Sequence, residues 1–232
     1  MFRFTLAAPR ALVTTTVLSA TLFAAVAGAQ TAPRQTVSRR NANRQARIAR
    51  NIQDAYSHRW EVAGGGGFLR FRTGQYLQKI SEISFFTQAA YSLNPNWSIV
   101  GDVRGFYGSA KIPNVFALNG SFRPQISEYT FTAGPQYRFI GNEKYSVSAS
   151  VTGGTALSKF GGDAKGLKST DLGMWEDSNA KPVFIVSLTG DYNLYNNLAV
   201  RVQPTYVGTT FGGTLQNNLG VNVGVVYRFG RR

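Results

Sequence analysis

Seven charged residues lie in stretches where polar and apolar side chains alternate, and each shares a face with polar neighbours. They are Glu61, Asp102, Asp191, Arg104, Arg138, Arg201 and Arg228. Successive side chains of a strand point to opposite faces, so this spacing collects the charges on one side of a sheet. Enclosed carboxylates and guanidinium groups could brace an interior as a salt-bridged network. They could also line a narrow pore that slightly prefers anions, because the arginines outnumber the acids.

The other residues that could take part in catalysis or metal binding do not indicate an enzyme. The one histidine, His58, stands just before the first alternating stretch without a motif, and the chain has no cysteine, so a Ser-His-acid hydrolase has little support. Asp171, Glu176 and Asp177 could bind a divalent cation, but their spacing matches no metal loop and we expect a solvated loop. Gly64–Gly67 leads into no helix with Lys-Ser or Lys-Thr, so it is no phosphate cradle. We expect no cofactor, no metal and no nucleic-acid partner.

The N-terminal end has the features of a secretory signal peptide over residues 1–29. Arg3 and Arg10 precede an apolar run over residues 11–26, and Ala27-Gly28-Ala29 offers a small-residue cleavage site. We therefore expect a mature chain that begins at Gln30 and leaves the cytoplasm, with an uncleaved anchor helix as the alternative. Its formal charge would fall from +14 to +12 with the loss of those two arginines. Without cysteines, the exported domain must be stable without disulfides.

A basic segment follows over residues 30–58. It holds six arginines, and Ile48, Ile52 and Tyr56 recur at four-residue intervals. This pattern predicts a short helix from about Ser38 to Tyr56. We expect a solvated tail or a plug-like segment packed on the mouth of the next domain. The alternative is a periplasmic arm that touches anionic lipid head groups or cell-wall polymer.

Eight stretches of about ten residues alternate apolar and polar side chains, which predicts eight β-strands. In the clearest of them, Tyr129–Phe139, aromatic and aliphatic residues share one face, while threonine, glutamine and arginine share the other. The stretches are Trp60–Phe71, Ile83–Leu93, Trp97–Tyr107, Tyr129–Phe139, Tyr145–Thr155, Val183–Tyr192, Leu198–Val207 and Leu219–Phe229.

Glycines and prolines disturb this alternation at three places. The run of four glycines permits a bulge, which would turn Leu69 and Phe71 outward and Arg70 inward. The bulge would thereby avoid placing a charged arginine side chain in lipid. Pro135 and Pro204 each remove a donor from the strand ladder. We expect local bulges at both prolines.

The connections sort by length in a way that is typical of transmembrane β-barrels. Those after strands two, four and six are about three to five residues, and those after the other strands about eleven to twenty-seven. Charges on the polar faces indicate that these faces point inward and that the apolar faces meet lipid, the reverse of a soluble ligand-binding barrel. Aromatic residues near strand ends would form girdles at the two membrane interfaces. The predicted girdle comprises Trp60, Tyr91, Trp97, Tyr107, Tyr137, Tyr145, Tyr192, Tyr206, Tyr227 and Phe229.

The sequence thus predicts an all-β fold, an eight-stranded antiparallel up-and-down transmembrane β-barrel over residues 59–232, with both termini on the periplasmic side. An eight-stranded barrel is just wide enough for side chains to fill it. We therefore expect the seven charged residues to brace the lumen as a salt-bridged network rather than to line an ion-conducting pore.

In architecture, the region Trp60–Phe229 resembles the small eight-stranded outer-membrane barrels of the outer membrane protein A type in Gram-negative bacteria. The resemblance implies residence in the outer membrane, contact with its lipid and lipopolysaccharide, and insertion by assembly machinery that reads the terminal aromatic. We expect no appended peptidoglycan-binding domain after Phe229. The long loops, above all Ala156–Pro182, would carry a structural, adhesive or surface ligand-binding role. A small porin-like channel is the alternative, and an envelope enzyme ranks last.

Overall fold

Eight antiparallel strands pair in chain order and close into a barrel, because β1 pairs with both β2 and β8. The computed structural model describes residues 34–112, 123–162 and 167–231, so the predicted signal peptide lies outside the described residues. Closure pairs every strand on both sides and leaves no edge. The predicted fold class is confirmed. The strands are β1 (His58–Arg72), β2 (Lys79–Ser92), β3 (Trp97–Ser109), β4 (Gln125–Gly141), β5 (Tyr145–Gly162), β6 (Ser178–Tyr195), β7 (Leu198–Thr209) and β8 (Gln216–Arg231).

Among the described residues, one α-helix, α1 (Arg34–Tyr56), precedes the barrel, and it begins four residues earlier than predicted. The chain divides into two compact units, Met1–Ile48 and Ala49–Arg232, so the last turns of α1 belong to the same unit as the barrel. In the first unit, the arginines from Arg40 onward are exposed. Within the described part of the chain, no helix is both long and apolar enough to cross a membrane.

The barrel wall is apolar outside and largely polar inside. Along β2, every second side chain from Ile80 to Ala90 is buried and those between are exposed. Exposed outer residues include Ile99, Val151 and Val223, each more than half exposed, whereas serines, threonines and charged groups are buried inside. A soluble barrel would show the opposite distribution, so the wall is built to face lipid.

Short and long connections alternate as predicted. Residues 93–96, 142–144 and 196–197 form the short turns at one rim, and the other connections form the opposite rim. The long connections are shorter than expected, since β5 continues to Gly162 and β6 already begins at Ser178. The inward-facing pattern simply persists past the predicted strand ends. We call the two ends of the barrel the short-turn rim and the long-loop rim.

The bulge predicted in β1 is wrong. The register of β1 against β2 and β8 runs without a shift through the glycine run. Leu69 and Phe71 therefore point inward and are fully buried, while Arg70 points outward and donates a hydrogen bond to Oγ of Ser81 at 3.3 Å. Arg70 lies close to the long-loop rim, where a long basic side chain can reach water and head groups.

The bulges predicted at the two prolines are also wrong. Pro135 pairs in register with Ile99, and Pro204 pairs in register with Val221. Proline φ is compatible with an extended strand, so its cost is one missing ladder donor rather than a shift of register. Irregularities occur instead close to strand ends, between Gln125 and Ser127, Arg138 and Ile140, Ala156 and Ser158, and Asn193 and Tyr195.

Candidate functional site

The centre of the lumen near the short-turn rim is occupied by Arg201. Its Nε and Nη2 donate to the two carboxylate oxygens of Asp191 at 2.8 and 2.9 Å, and Nη2 also donates to Glu61. Its Nη1 donates to Oε1 of Gln88 at 3.1 Å. Arg201 is almost completely buried, so these partners replace the water that the guanidinium group has lost.

Two more arginines share the same carboxylates. Arg228 donates from Nε to Glu61 at 2.9 Å and from Nη2 to Asp191 at 3.1 Å. Arg138 is less tightly held, with Nη2 3.8 Å from Glu61 and Nη1 donating to the carbonyl of Pro95 at 3.0 Å. We call Glu61, Asp191, Arg138, Arg201 and Arg228 the inner charge network.

A second group lies farther along the lumen. Asp102 and Arg104 are neighbours on the inward face of β3, and Nε and Nη2 of Arg104 donate to the carboxylate at 2.7 and 2.9 Å. Arg104 also lies 3.3 Å from Oε1 of Gln203. Gln88 donates to Asp102 and accepts from Arg201, so it joins this group to the inner charge network. All seven charges singled out from the sequence are thus brought together.

Tyr56, the last residue of α1, covers the inner charge network at the short-turn rim. Its hydroxyl donates to the carbonyl of Asn142 at 2.8 Å and accepts from Nδ2 of Asn193 at 3.0 Å. The guanidinium carbon of Arg138 lies 4.5 Å from the centre of the Tyr56 ring, and that of Arg228 5.5 Å. Such contacts are favourable cation–π interactions. The end of α1 therefore covers the lumen at the short-turn rim. We call residues 49–56 the stopper.

The other end of the lumen is closed by apolar side chains that we call the apolar cap. Phe71, Phe160 and Phe211 pack around one another there, with ring centres 5.3 to 6.1 Å apart. Extending the alternation past the predicted strand ends would have found Phe160. The cap comprises Leu69, Phe71, Ile80, Phe106, Ala110, Ile112, Ile126, Ala156, Phe160, Leu172, Met174, Val183, Ile185, Val207 and Phe211.

Two interior carboxylates, Glu82 and Glu128, were not predicted from the sequence. Both are fully buried and point into the lumen beside the apolar cap, where Glu82 pairs with Leu69 and Glu128 pairs with Phe106. The predicted strands began one residue too late, at Ile83 and Tyr129, although both glutamates continue the inward-facing pattern. With them, the acids among the described interior residues outnumber the arginines by five to four. The predicted excess of arginine is therefore wrong, and the anion preference drawn from it loses its basis.

All ten residues of the predicted aromatic girdle lie on the outer surface. Near the short-turn rim, the rings of Trp60 and Tyr91 have centres 4.9 Å apart, as do those of Trp97 and Tyr137. Near the long-loop rim, Tyr206 packs beside Phe184 with ring centres 5.7 Å apart. Two separated belts of this kind fit the two interfaces of a bilayer.

The histidine and the loop acids that were considered for catalysis or metal binding lie in exposed or capping positions. His58 has Nδ1 3.4 Å from the carbonyl of Ala55, at the end of α1. Asp171 and Glu176 are exposed, and Asp177 accepts a hydrogen bond from the backbone N–H of Phe160 at 2.6 Å. Among the described residues, no three histidines, cysteines or acids are grouped to hold a metal ion.

The long-loop rim is strongly basic and carries two cavities. An open groove of about 710 Å³ has Lys159 and Asp177 in its wall, so its charges oppose each other. A smaller cavity of about 210 Å³ is lined by Arg72, Lys79 and Trp175, and none of its described lining residues is acidic. Only Asp171, Glu176 and Asp177 are acidic among the exposed described residues of this rim. The basic residues that the structure describes as exposed or half-buried at this rim are Arg70, Arg72, Lys79, Lys111, Arg123, Lys159, Lys168 and Lys181.

Solved structures share this architecture. The chain is similar to the outer membrane protein OprG from Pseudomonas aeruginosa, with 11% identity over 75% of this chain and 97% of that one and a TM-score of 0.53. Neisserial surface protein A is 15% identical over 73% of this chain and 97% of its own, with a TM-score of 0.51. The fold is that of a small outer-membrane β-barrel. The resemblance drawn from the sequence is confirmed.

A third similar structure is Ail, the attachment invasion locus protein of Yersinia pestis. It is 17% identical over 75% of this chain and 99% of its own, with a TM-score of 0.49. No protein-family model matches the chain, and neither does any curated protein sequence.

Proposed function

We propose that this protein is a closed, non-conducting barrel of a bacterial outer membrane that acts through its long-loop surface. One observation carries the proposal: side chains fill the lumen from end to end. Tyr56 and the inner charge network occupy the short-turn end, and the apolar cap occupies the other. Desolvated aromatic rings give an ion no polar partner, so the porin-like alternative gains no support from the lumen.

The ligand we propose is an anionic glycan, with the phosphorylated sugars of lipopolysaccharide as the nearest source. Arg72 and Lys79 pair across β1 and β2, and Arg70 lies two residues along on the same outward face. We call these three residues the basic rim patch. Trp175 lies beside it and donates its indole N–H to the carbonyl of Arg72 at 2.7 Å. Clustered cations beside an aromatic ring suit phosphate or sulphate groups on a sugar.

The binding test compares the parent with the triple variant Arg70→Gln, Arg72→Gln and Lys79→Gln in lipid nanodiscs. The probe is lipopolysaccharide with and without its phosphates. Each exposed contact is worth about 0.5 kcal/mol, so we expect about tenfold weaker binding of the phosphorylated form by the variant. Lys144→Gln at the short-turn rim is the matched control and should bind like the parent. Equal binding by parent and triple variant would contradict this assignment.

We also propose that residues 1–29 are removed during export, that the basic segment before His58 faces the periplasm, and that assembly machinery inserts the barrel. The alternating connection lengths and the signal-like N-terminus support this orientation. N-terminal sequencing of protein from outer-membrane fractions should begin at Gln30. A chain that retains Met1, or that fractionates with the inner membrane, would contradict it.

A further inference from the structure

Two buried carboxylates in the outer half of the lumen have no hydrogen-bond partner in the part of the chain that the structure describes. Glu82 and Glu128 are both completely buried, and none of their four carboxylate oxygens has a hydrogen-bond partner among the described residues. Every other interior acid accepts hydrogen bonds from an arginine. Buried charges are normally paired or coordinate a metal. These two groups therefore call for a cationic partner.

The strand register brings the two glutamates toward each other across β3. Gly108 lies between them and leaves room, since a Cβ atom there would approach Cγ of Glu82 to 2.7 Å. Glu82 thus leans over Gly108, which pairs with Ile126 on β4. Glu128 follows Ile126 on the same inward face, two residues along. Both carboxylates point into one part of the lumen.

Two hydroxyl groups in the same part of the lumen also lack partners within the described ranges. Ser158 lies directly opposite Glu128 in the pairing of β4 with β5. Thr130 is the next inward-facing residue of β4 after Glu128. Both side chains are buried, and neither Oγ has a hydrogen-bond partner among the described residues. The unpartnered donor set therefore consists of carboxylate and hydroxyl oxygens only.

We propose that Glu82, Glu128, Thr130 and Ser158 bind one calcium ion in the lumen. Oxygen-only donor sets select hard divalent cations, and two carboxylates balance the charge of one such ion. Calcium accepts six to eight oxygens in irregular arrangements, whereas magnesium demands a near-ideal octahedron and keeps several waters. The enclosed site beneath the apolar cap suits the less demanding ion. This inference is independent of the surface ligand proposed above.

The test measures calcium bound to the full chain, purified in detergent and stripped with EDTA. Equilibrium dialysis with ⁴⁵Ca²⁺ should show one ion per chain for the parent. The double variant Glu82→Gln and Glu128→Gln should bind at least tenfold more weakly. Asp171→Asn with Glu176→Gln, which changes two exposed acids near the same rim, is the matched control and should bind like the parent.

Thermal unfolding of the same proteins keeps the test decisive if a variant is hard to fold. Without calcium, the double variant should melt no lower than the parent, because it lacks two buried charges. Calcium should raise the melting temperature of the parent and the control but not that of the double variant. If calcium leaves the melting temperature of the parent unchanged, or if the double variant binds calcium as tightly as the parent, the proposal is wrong. Carboxyl groups that are simply protonated would give the first of these results.

Discussion

At the scale of single residues, the inner charge network depends on Arg201, which bridges Asp191, Glu61 and Gln88. Removing one member of a buried ion pair leaves the others charged and without water. The loss is therefore larger than the energy of the contacts themselves.

Arg201→Met should lower the free energy of unfolding by about 3 to 5 kcal/mol, because it leaves Asp191 and Glu61 short of partners. The measurement is urea unfolding of the barrel in phospholipid bilayers. Arg59→Met is the matched control, since Arg59 is exposed on β1 outside the network. A loss no greater than that of the control would show that the network does not stabilise the fold.

At the scale of elements, the tight pairing of β1 with β8 requires glycine at inward-facing positions. A Cβ atom on Gly65 would lie 2.1 Å from the carbonyl oxygen of Val223, well inside contact distance. Gly64 faces outward, and a Cβ there would be 3.6 Å from its nearest neighbour, an ordinary contact. The glycine run thus serves close approach rather than the bulge expected from the sequence.

Gly65→Ala should reduce the free energy of unfolding by about 1 to 3 kcal/mol, because the added methyl group forces β1 and β8 apart. Gly64→Ala is the matched control and should change it little. Both are measured by urea unfolding in the same bilayers. Equal effects of the two substitutions would contradict the close approach of β1 to β8.

The stopper is the second element whose role can be tested. Tyr56→Phe keeps the ring over Arg138 but removes the hydroxyl bonded to Asn142 and Asn193, at a cost of about 1 kcal/mol. Amide hydrogen exchange over residues 49–56 should therefore become about fivefold faster, while the strands keep their protection. Tyr195→Phe, at an exposed tyrosine, is the control. Unchanged amide exchange in the Tyr56 variant would contradict the claim that these hydrogen bonds hold the stopper in place.

The elements also show what the sequence could predict and what it could not. Alternation places side chains on faces, so the eight strands, the girdle and the positions of Arg201 and Asp102 followed directly from the residues. Alternation does not say where a strand ends, so the predicted second strand began one residue after Glu82 and left that residue out. It also cannot say which arginine bonds which acid, because that depends on strand register across the barrel. The position of Arg70 was misjudged because its depth in the membrane was not fixed by the pattern.

At the scale of the whole molecule, the barrel is divided into layers along its axis. Tyr56 and the inner charge network come first, the Asp102–Arg104 pair next, and finally the apolar cap with the unpartnered glutamates beside it. Polar layers specify how the strands align, because each buried charge is satisfied only in one register. The cap excludes water from the long-loop end. The molecule is therefore organised as a filled support for its outer surface.

The most direct test of this account is single-channel conductance of the protein, purified from outer membranes and verified as folded, in a planar bilayer. A lumen filled by side chains predicts no discrete conductance steps at any applied voltage. Repeated steps of fixed size that change when Arg104→Ala and Arg138→Ala are combined would contradict the account. Ions would then pass through the charged lumen, and the porin-like function would replace the closed support.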